Sequence, residues 1–409
     1  MKKICRNLLL ITILLSGTQV IDLSFTNFTF FQISFMIFAC FFIIYIVIGK
    51  KLKRGLYLFL SMLFFISSFL AYFTSINKSW ATSYLLLNLM ISIIIIAVPN
   101  LFYNDDIVLL KKMLIRSQYI VIPFSIYSIY MFYFRGGLPN IVKLPLGMII
   151  QLDNDFLLRS QASHQIRLSL PYATPPVLSL VLALCIIILL FSDNIYNKKI
   201  KYILIAIFSV LLVLTGSRTG IVGLFVAGFI FAFKNLKHKT IKTKKISFFA
   251  LALIIITIVF FLIFDTVYIQ KALTRFLNIN ILSDRHFLVP LDGLIIWTSS
   301  LKNFIFGIGF GSSAYMTGAH TYLPPYFLNS FVTLLVERGL LGLLIVIILI
   351  YLLMKKNIEY KKNYKESQLS LYILICTYAA AFIYEVFNCY FVIFIISMVL
   401  IDNNKGKEN

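Results

Sequence analysis

Leu340–Met354 reads LLGLLIVIILIYLLM, an apolar run without a charged side chain, closed on its C-terminal side by Lys355 and Lys356. It neither alternates like a barrel strand nor carries the polar stripe of a surface helix. A helix needs about 20 mostly apolar residues to cross ~30 Å of hydrocarbon. Adding the preceding residues from Ser330 gives this run that length. In lipid the backbone must satisfy its own polar groups, so such a segment is a helix. Similar blocks recur along the chain, among them Ile91–Val98 (ISIIIIAV) and Ile246–Phe264 (ISFFALALIIITIVFFLIF).

The same reading extends to the whole chain. Hydrophobic residues make up 60% of it and charged residues 13%, whereas a soluble domain has nearer half and a quarter. Helices are predicted at about 7–21, 28–49, 55–75, 83–103, 117–134, 171–192, 202–215, 219–233, 246–264, 330–354, 368–384 and 386–401. The predicted fold is therefore all-α, a single transmembrane bundle over 1–409 with about twelve spans. The start, MKKICR followed by an apolar run, has the look of a signal peptide without a convincing cleavage site, and is taken as the first membrane helix.

A net charge of +22 would point to nucleic acid in a soluble protein. Here it reports topology, and no nucleic-acid partner is expected. With the N-terminus inside, Lys2, Lys3, Arg6, Lys50, Lys51, Lys111, Lys112, Lys198 and Lys199 all fall on short inner segments, as do the lysines after 233 and 354. Most of the 37 basic residues are then inside, as the positive-inside rule requires, and both termini are cytoplasmic. The five cysteines lie in or beside apolar blocks without metal-type spacing, and no metal or cofactor is expected.

Two outer segments, 135–170 and 265–329, are too long to be turns and form the expected active-site face. In the second, Ile269, Ala272, Leu273, Phe276 and Leu277 follow a helical period, predicting a short interfacial helix. A further helix is predicted over 291–301. The outer basic residues are mostly arginine, whose planar fork suits phosphate. Arg159 and Arg167 lie in the first loop, Arg285 in the second and Arg338 at a helix end. As a set they suggest an outer site for an anionic ligand.

Arg218 is the sharpest of these. It stands in TGSRTG (215–220), in a tight hairpin between apolar helices, where arginine is costly unless it has a task. Ser217 and Thr219 add hydroxyls beside it. Snorkelling to head groups is the plainer alternative. His320, His164 and His286 are outer candidates for a general base, with Asp284 and Asp292 as rivals. His238 lies in an inner lysine-rich segment. Glu337 and Arg338 are expected at the outer end of their helix. GIGFG (307–311) superficially suits a phosphate loop, but it lacks the preceding strand and the GK[ST] signature, so a tight turn between loop helices is the better reading.

TGSRTG at a helix start, then SDR (283–285), then GIGFG, then LNSFVTLLVERGLLG (328–342), taken in order, resemble the O-antigen ligase/polymerase superfamily, and most of all a Wzy-type polysaccharide repeat-unit polymerase. The motif matches cover about 215–342. This resemblance implies a GT-C-like membrane fold and a metal-independent glycosyltransferase of the bacterial cytoplasmic membrane. The implied donor is an oligosaccharide on undecaprenyl pyrophosphate, with Arg218 and Arg285 holding the diphosphate. It also implies a sugar-hydroxyl acceptor, and a flippase and a chain-length regulator as partners. The ligase pattern of a histidine, a small polar residue and then two spaced small residues is matched by Asn329, Gly339 and Gly342, but Leu328 stands where the histidine would be. That departure favours polymerase over ligase. It leaves His320 and then Asp292 as candidate bases, with Asn329 a candidate sugar contact or a helix cap.

Overall fold

In the computed structural model, residues 1–18, 21–23, 28–48, 52, 55–139, 141–145, 148–151, 167–172, 174–192, 195–238, 285–311, 329–359, 364–384, 387 and 389–401 are described. The predicted helices at 246–264 and 269–277 lie outside them. The rest is a helical bundle: α1 (Lys2–Leu14), α2 (Phe30–Val47), α3 (Leu56–Thr74), α4 (Lys78–Leu101), α5 (Ile107–Ser117), α6 (Val121–Arg135), α7 (Pro175–Phe191), α8 (Lys198–Leu214), α9 (Arg218–His238), α10 (Arg285–Thr298), α11 (Leu301–Phe306), α12 (Ser330–Glu359), α13 (Tyr364–Ala381) and α14 (Tyr390–Val399). Among the described residues, four helical stretches are long and apolar enough to cross a membrane: Phe30–Val47, Tyr57–Thr74, Ala81–Leu101 and Ser330–Tyr351.

Local signals start and stop these helices. Thr29 and Gln32 form a reciprocal capping box at α2, the Thr29 hydroxyl accepting from Gln32 N at 3.1 Å. Asn197 caps α8, and Pro175 and Pro176 open α7 where no intrahelical amide is needed. Gly136, at φ 75°, ends α6.

Packing follows the apolar faces. On α2 the row Phe31, Phe35, Phe38, Phe42 and Tyr45 turns inward, and Phe31 meets Tyr390 with ring centroids 4.4 Å apart. Only 33% of Phe30–Val47 is buried, and the exposed remainder includes Ile37, Phe41, Ile43, Ile44 and Val47. An apolar helix with an apolar outer face is a membrane helix, its outer face solvated by lipid. At the centre, α7 is buried along almost its whole length and is surrounded by α8, α9 and α13. Every residue of α14 is buried, against α4 among others.

Contacts at the helix ends sort into two sets. At one end the Lys2 ammonium meets the Tyr103 hydroxyl, Arg6 pairs with Asp106 at 3.2 Å, Tyr119 and Tyr196 share a hydrogen bond, and Lys201 donates to the carbonyl of Ser192. At the other end lie Ser75 with Phe310, Leu168 with Leu214, and Ser330 with Tyr384. No pair mixes the two sets, as expected if the helices between them run alternately up and down.

Several expectations are corrected. A small antiparallel sheet, in the order β1 (Asp22–Leu23), β3 (Met148–Gln151), β2 (Ile141–Lys143), ties the α1–α2 link to the 135–170 segment. The strands are too short to give a readable alternation. The segment around Lys111 and Arg116 is itself helical, as α5, with Lys111 buried. α12 is not straight: Gly339 (φ 57°, ψ −141°) breaks it into two pieces at a sharp corner. α14 spans only ~15 Å, half the hydrocarbon thickness, and is reached through the buried residues Phe387 and Cys389. The predicted helix at 291–301 is α10 and α11, separated at Ser299 and Ser300, where Ser300 caps α11.

Candidate functional site

The TGSRTG turn is held from within. Gly216 takes a left-handed φ of 59°, which reverses the chain after α8. The Thr215 hydroxyl accepts from Ser217 N at 3.2 Å, and the Ser217 hydroxyl from Thr219 N at 3.4 Å. Gly220 N donates to the Ser179 hydroxyl of α7 at 3.0 Å, and a Cβ at Gly220 would collide with the Ser179 carbonyl. Thr215, Ser217 and Thr219 are buried, while Arg218 is exposed. The hydroxyls thus hold the turn, and the guanidinium is the part it presents outward.

Arg167 belongs to the same place. Leu168 N donates to the Leu214 carbonyl at 3.0 Å, pinning this strand of chain against the end of α8, and the Arg167 guanidinium reaches the Gly216 carbonyl at 3.5 Å. Leu168, Ser169, Leu170 and Tyr172 are buried, so the anchor is firm. Two arginines far apart in sequence therefore flank one turn at one end of the bundle. Their like charges favour an anion there.

The second cluster forms around the break in α12. A helix broken at Gly339 frees carbonyls that would otherwise bond within it. The GIGFG segment takes them up: Ile308 N donates to Val336 O at 2.8 Å and Gly309 N to Glu337 O at 3.2 Å. Phe310 N donates to Ala71 O of α3, and Gly311 N to the Glu337 carboxylate at 3.2 Å. Gly307, Gly309 and Gly311 all have left-handed φ, and a Cβ at Gly309 would strike the Ser75 backbone. The segment is therefore a strap that binds α11 to α12 and α3. It is not a turn between loop helices, and its amides from Ile308 to Gly311 are spent on the protein itself.

Arg338 lies beneath this strap. It is buried, donates to Ser67 Oγ at 2.9 Å and to Asn88 Oδ1, and its guanidinium carbon stands 4.3 Å from the Phe64 ring centroid and 5.2 Å from that of Phe310. Glu337 is buried beside it. Neither side chain stands at an open helix end: the corner at Gly339 folds both inward. Sequence reading missed the partners Ser67, Ser68 and Asn88. Polar residues inside otherwise apolar helices were the available signal.

Asn329 caps α12, its Oδ1 accepting from Phe331 N at 3.0 Å and Val332 N at 3.2 Å, and its amide nitrogen donates to Phe382 O. Asp292 is exposed on α10. Arg285 opens α10, with its side chain, like that of His286, outside the described residues. Arg159, His164, Asp284 and His320 also lie outside them. Among the described residues no group of three or more His, Cys, Asp or Glu side chains comes together. Compared with known proteins, the chain matches no protein-family model and no curated protein closely enough to count as a relative.

Proposed function

We propose that this chain is a glycosyltransferase of the bacterial cytoplasmic membrane that polymerises oligosaccharide repeat units carried on undecaprenyl pyrophosphate. The bundle has about twelve spans in this reading, with both termini cytoplasmic and the Arg218 turn facing outward. The observation that carries it is the convergence of Arg167 and Arg218 on one turn. A diphosphate leaving group gains charge as the glycosyl bond breaks, and fixed guanidinium groups can stabilise that charge. Arg285 and Arg159 would add to this set, Ser217 holds the turn, and the acceptor sugar hydroxyl would lose its proton to His320 or Asp292. Arg338 and Asn329 then support the site's framework.

Replacing Arg218 by Ala tests the reading. At normal expression, polymer should be lost and single lipid-linked repeat units should accumulate; unchanged polymer length sinks it. A ligase would instead leave long glycan on its lipid when the gene is deleted. A lipid-linked oligosaccharide flippase is a second reading, favoured by the broken α12 and the short α14, since transporters use interrupted helices at their sites. Against it, the carbonyls freed at Gly339 are taken by the strap rather than left open to a substrate. Deletion of a flippase would trap the short lipid-linked glycan inside.

A further inference from the structure

α10 and α11 form an arm whose two faces differ. Val289, Leu294, Ile296 and Trp297 pack against Ile308, Val332 and Val336, which fixes the arm on the first piece of α12. Trp297 closes the arm on itself, stacking on Phe304 and donating from Nε1 to the Phe304 carbonyl. The opposite face is apolar too: Leu291 is 47% exposed, Ile295 60% and Leu301 75%. In water such a stripe would be a liability.

The neighbours of the arm say what covers it. α11 packs against α3 and α12. Both present exposed apolar rows of membrane-spanning helices, Phe65, Phe69 and Phe73 on α3 and Leu340, Leu344 and Ile347 on α12. The depth is marked as well. Lys78 donates to the Tyr72 and Phe73 carbonyls, where a lysine snorkels at the polar boundary of a membrane helix. The strap that directly follows α11 bonds to Ala71 and Ser75 at that same turn. Asp292 adjoins the apolar stripe on α10, and a carboxylate cannot go deep into hydrocarbon.

We infer that the α10–α11 arm is sunk into one leaflet at the Arg167–Arg218 end of the bundle, with Leu291, Ile295 and Leu301 in contact with lipid hydrocarbon. The arm is then part of the membrane face and not a domain standing in water. This concerns where the arm sits, and holds whichever reaction the protein performs.

Spin labels test it in the full-length protein reconstituted in phosphatidylglycerol–phosphatidylethanolamine vesicles. Cys40 is the exposed native thiol and is replaced by Ser, while the other four cysteines are buried. Nitroxides are placed at Leu291→Cys, Ile295→Cys and Leu301→Cys. At each, the collision parameter for dissolved oxygen should exceed that for a water-soluble nickel chelate severalfold. A larger nickel parameter would mean water covers the stripe, and low values for both would mean protein covers it; either overturns the inference.

Discussion

At the residue scale, the two arginines that drew attention in the sequence have opposite fates. Arg218 is held on a turn whose hydroxyls all point inward, so it is available to a ligand. Arg338 is surrounded by Ser67, Ser68, Asn88, Phe64 and Phe310. Arg338→Ala should therefore leave a cavity and orphan the Asn88 carbonyl, costing about 2–4 kcal/mol. Thermal unfolding of the detergent-solubilised protein would show it as a lowered midpoint, with Arg338→Lys falling between. Arg167→Ala should preserve that midpoint, because the lost bond to Gly216 is long, yet reduce polymer output. A large loss of stability there would make Arg167 a structural residue. Sequence could mark both arginines as costly in an apolar chain. It could not tell them apart, because the corner at Gly339 that turns Arg338 inward is a backbone event.

At the element scale, the glycines of GIGFG illustrate how a motif can mislead. Their pattern asks for left-handed backbone, which is observed, but the amides face Val336, Glu337 and Ala71 rather than open space. Gly339→Ala would place a side chain where only glycine is at ease and against the Ile305 carbonyl. A destabilisation on the order of 2 kcal/mol is expected, again read from the unfolding midpoint. The small sheet carries a pH signature. Burial raises the Asp22 carboxyl above its ordinary range. A folded-state value above the unfolded one means that this group opposes folding once it is charged. Its penalty is absent below about pH 4 and grows as pH rises through the raised value. Asp22→Asn should remove that slope and be neutral to slightly stabilising at pH 7, which unfolding curves from pH 4 to 7 would check.

At the scale of the whole molecule, the sorting of contacts into two ends predicts sidedness. Lys112 stands over the Tyr196 ring at one end, and Arg135 closes α6 at the other. In the proposed orientation, Arg135→Cys should react with a membrane-impermeant maleimide on intact cells, and Lys112→Cys only after permeabilisation. Labelling of both from one side would refute the alternation of spans.

By itself the sequence determined that this is a helical, membrane-embedded chain, because apolar length and unbroken hydrophobicity leave the backbone no other way to satisfy its polar groups. It also singled out Arg218, since one charge in an apolar hairpin is conspicuous without any neighbour. Only the tertiary structure brought Arg167 to that hairpin, broke α12 at Gly339, and turned GIGFG into the strap that fills the break. Each of these is a contact between segments remote along the chain, and composition and local periodicity carry no record of which remote segments meet.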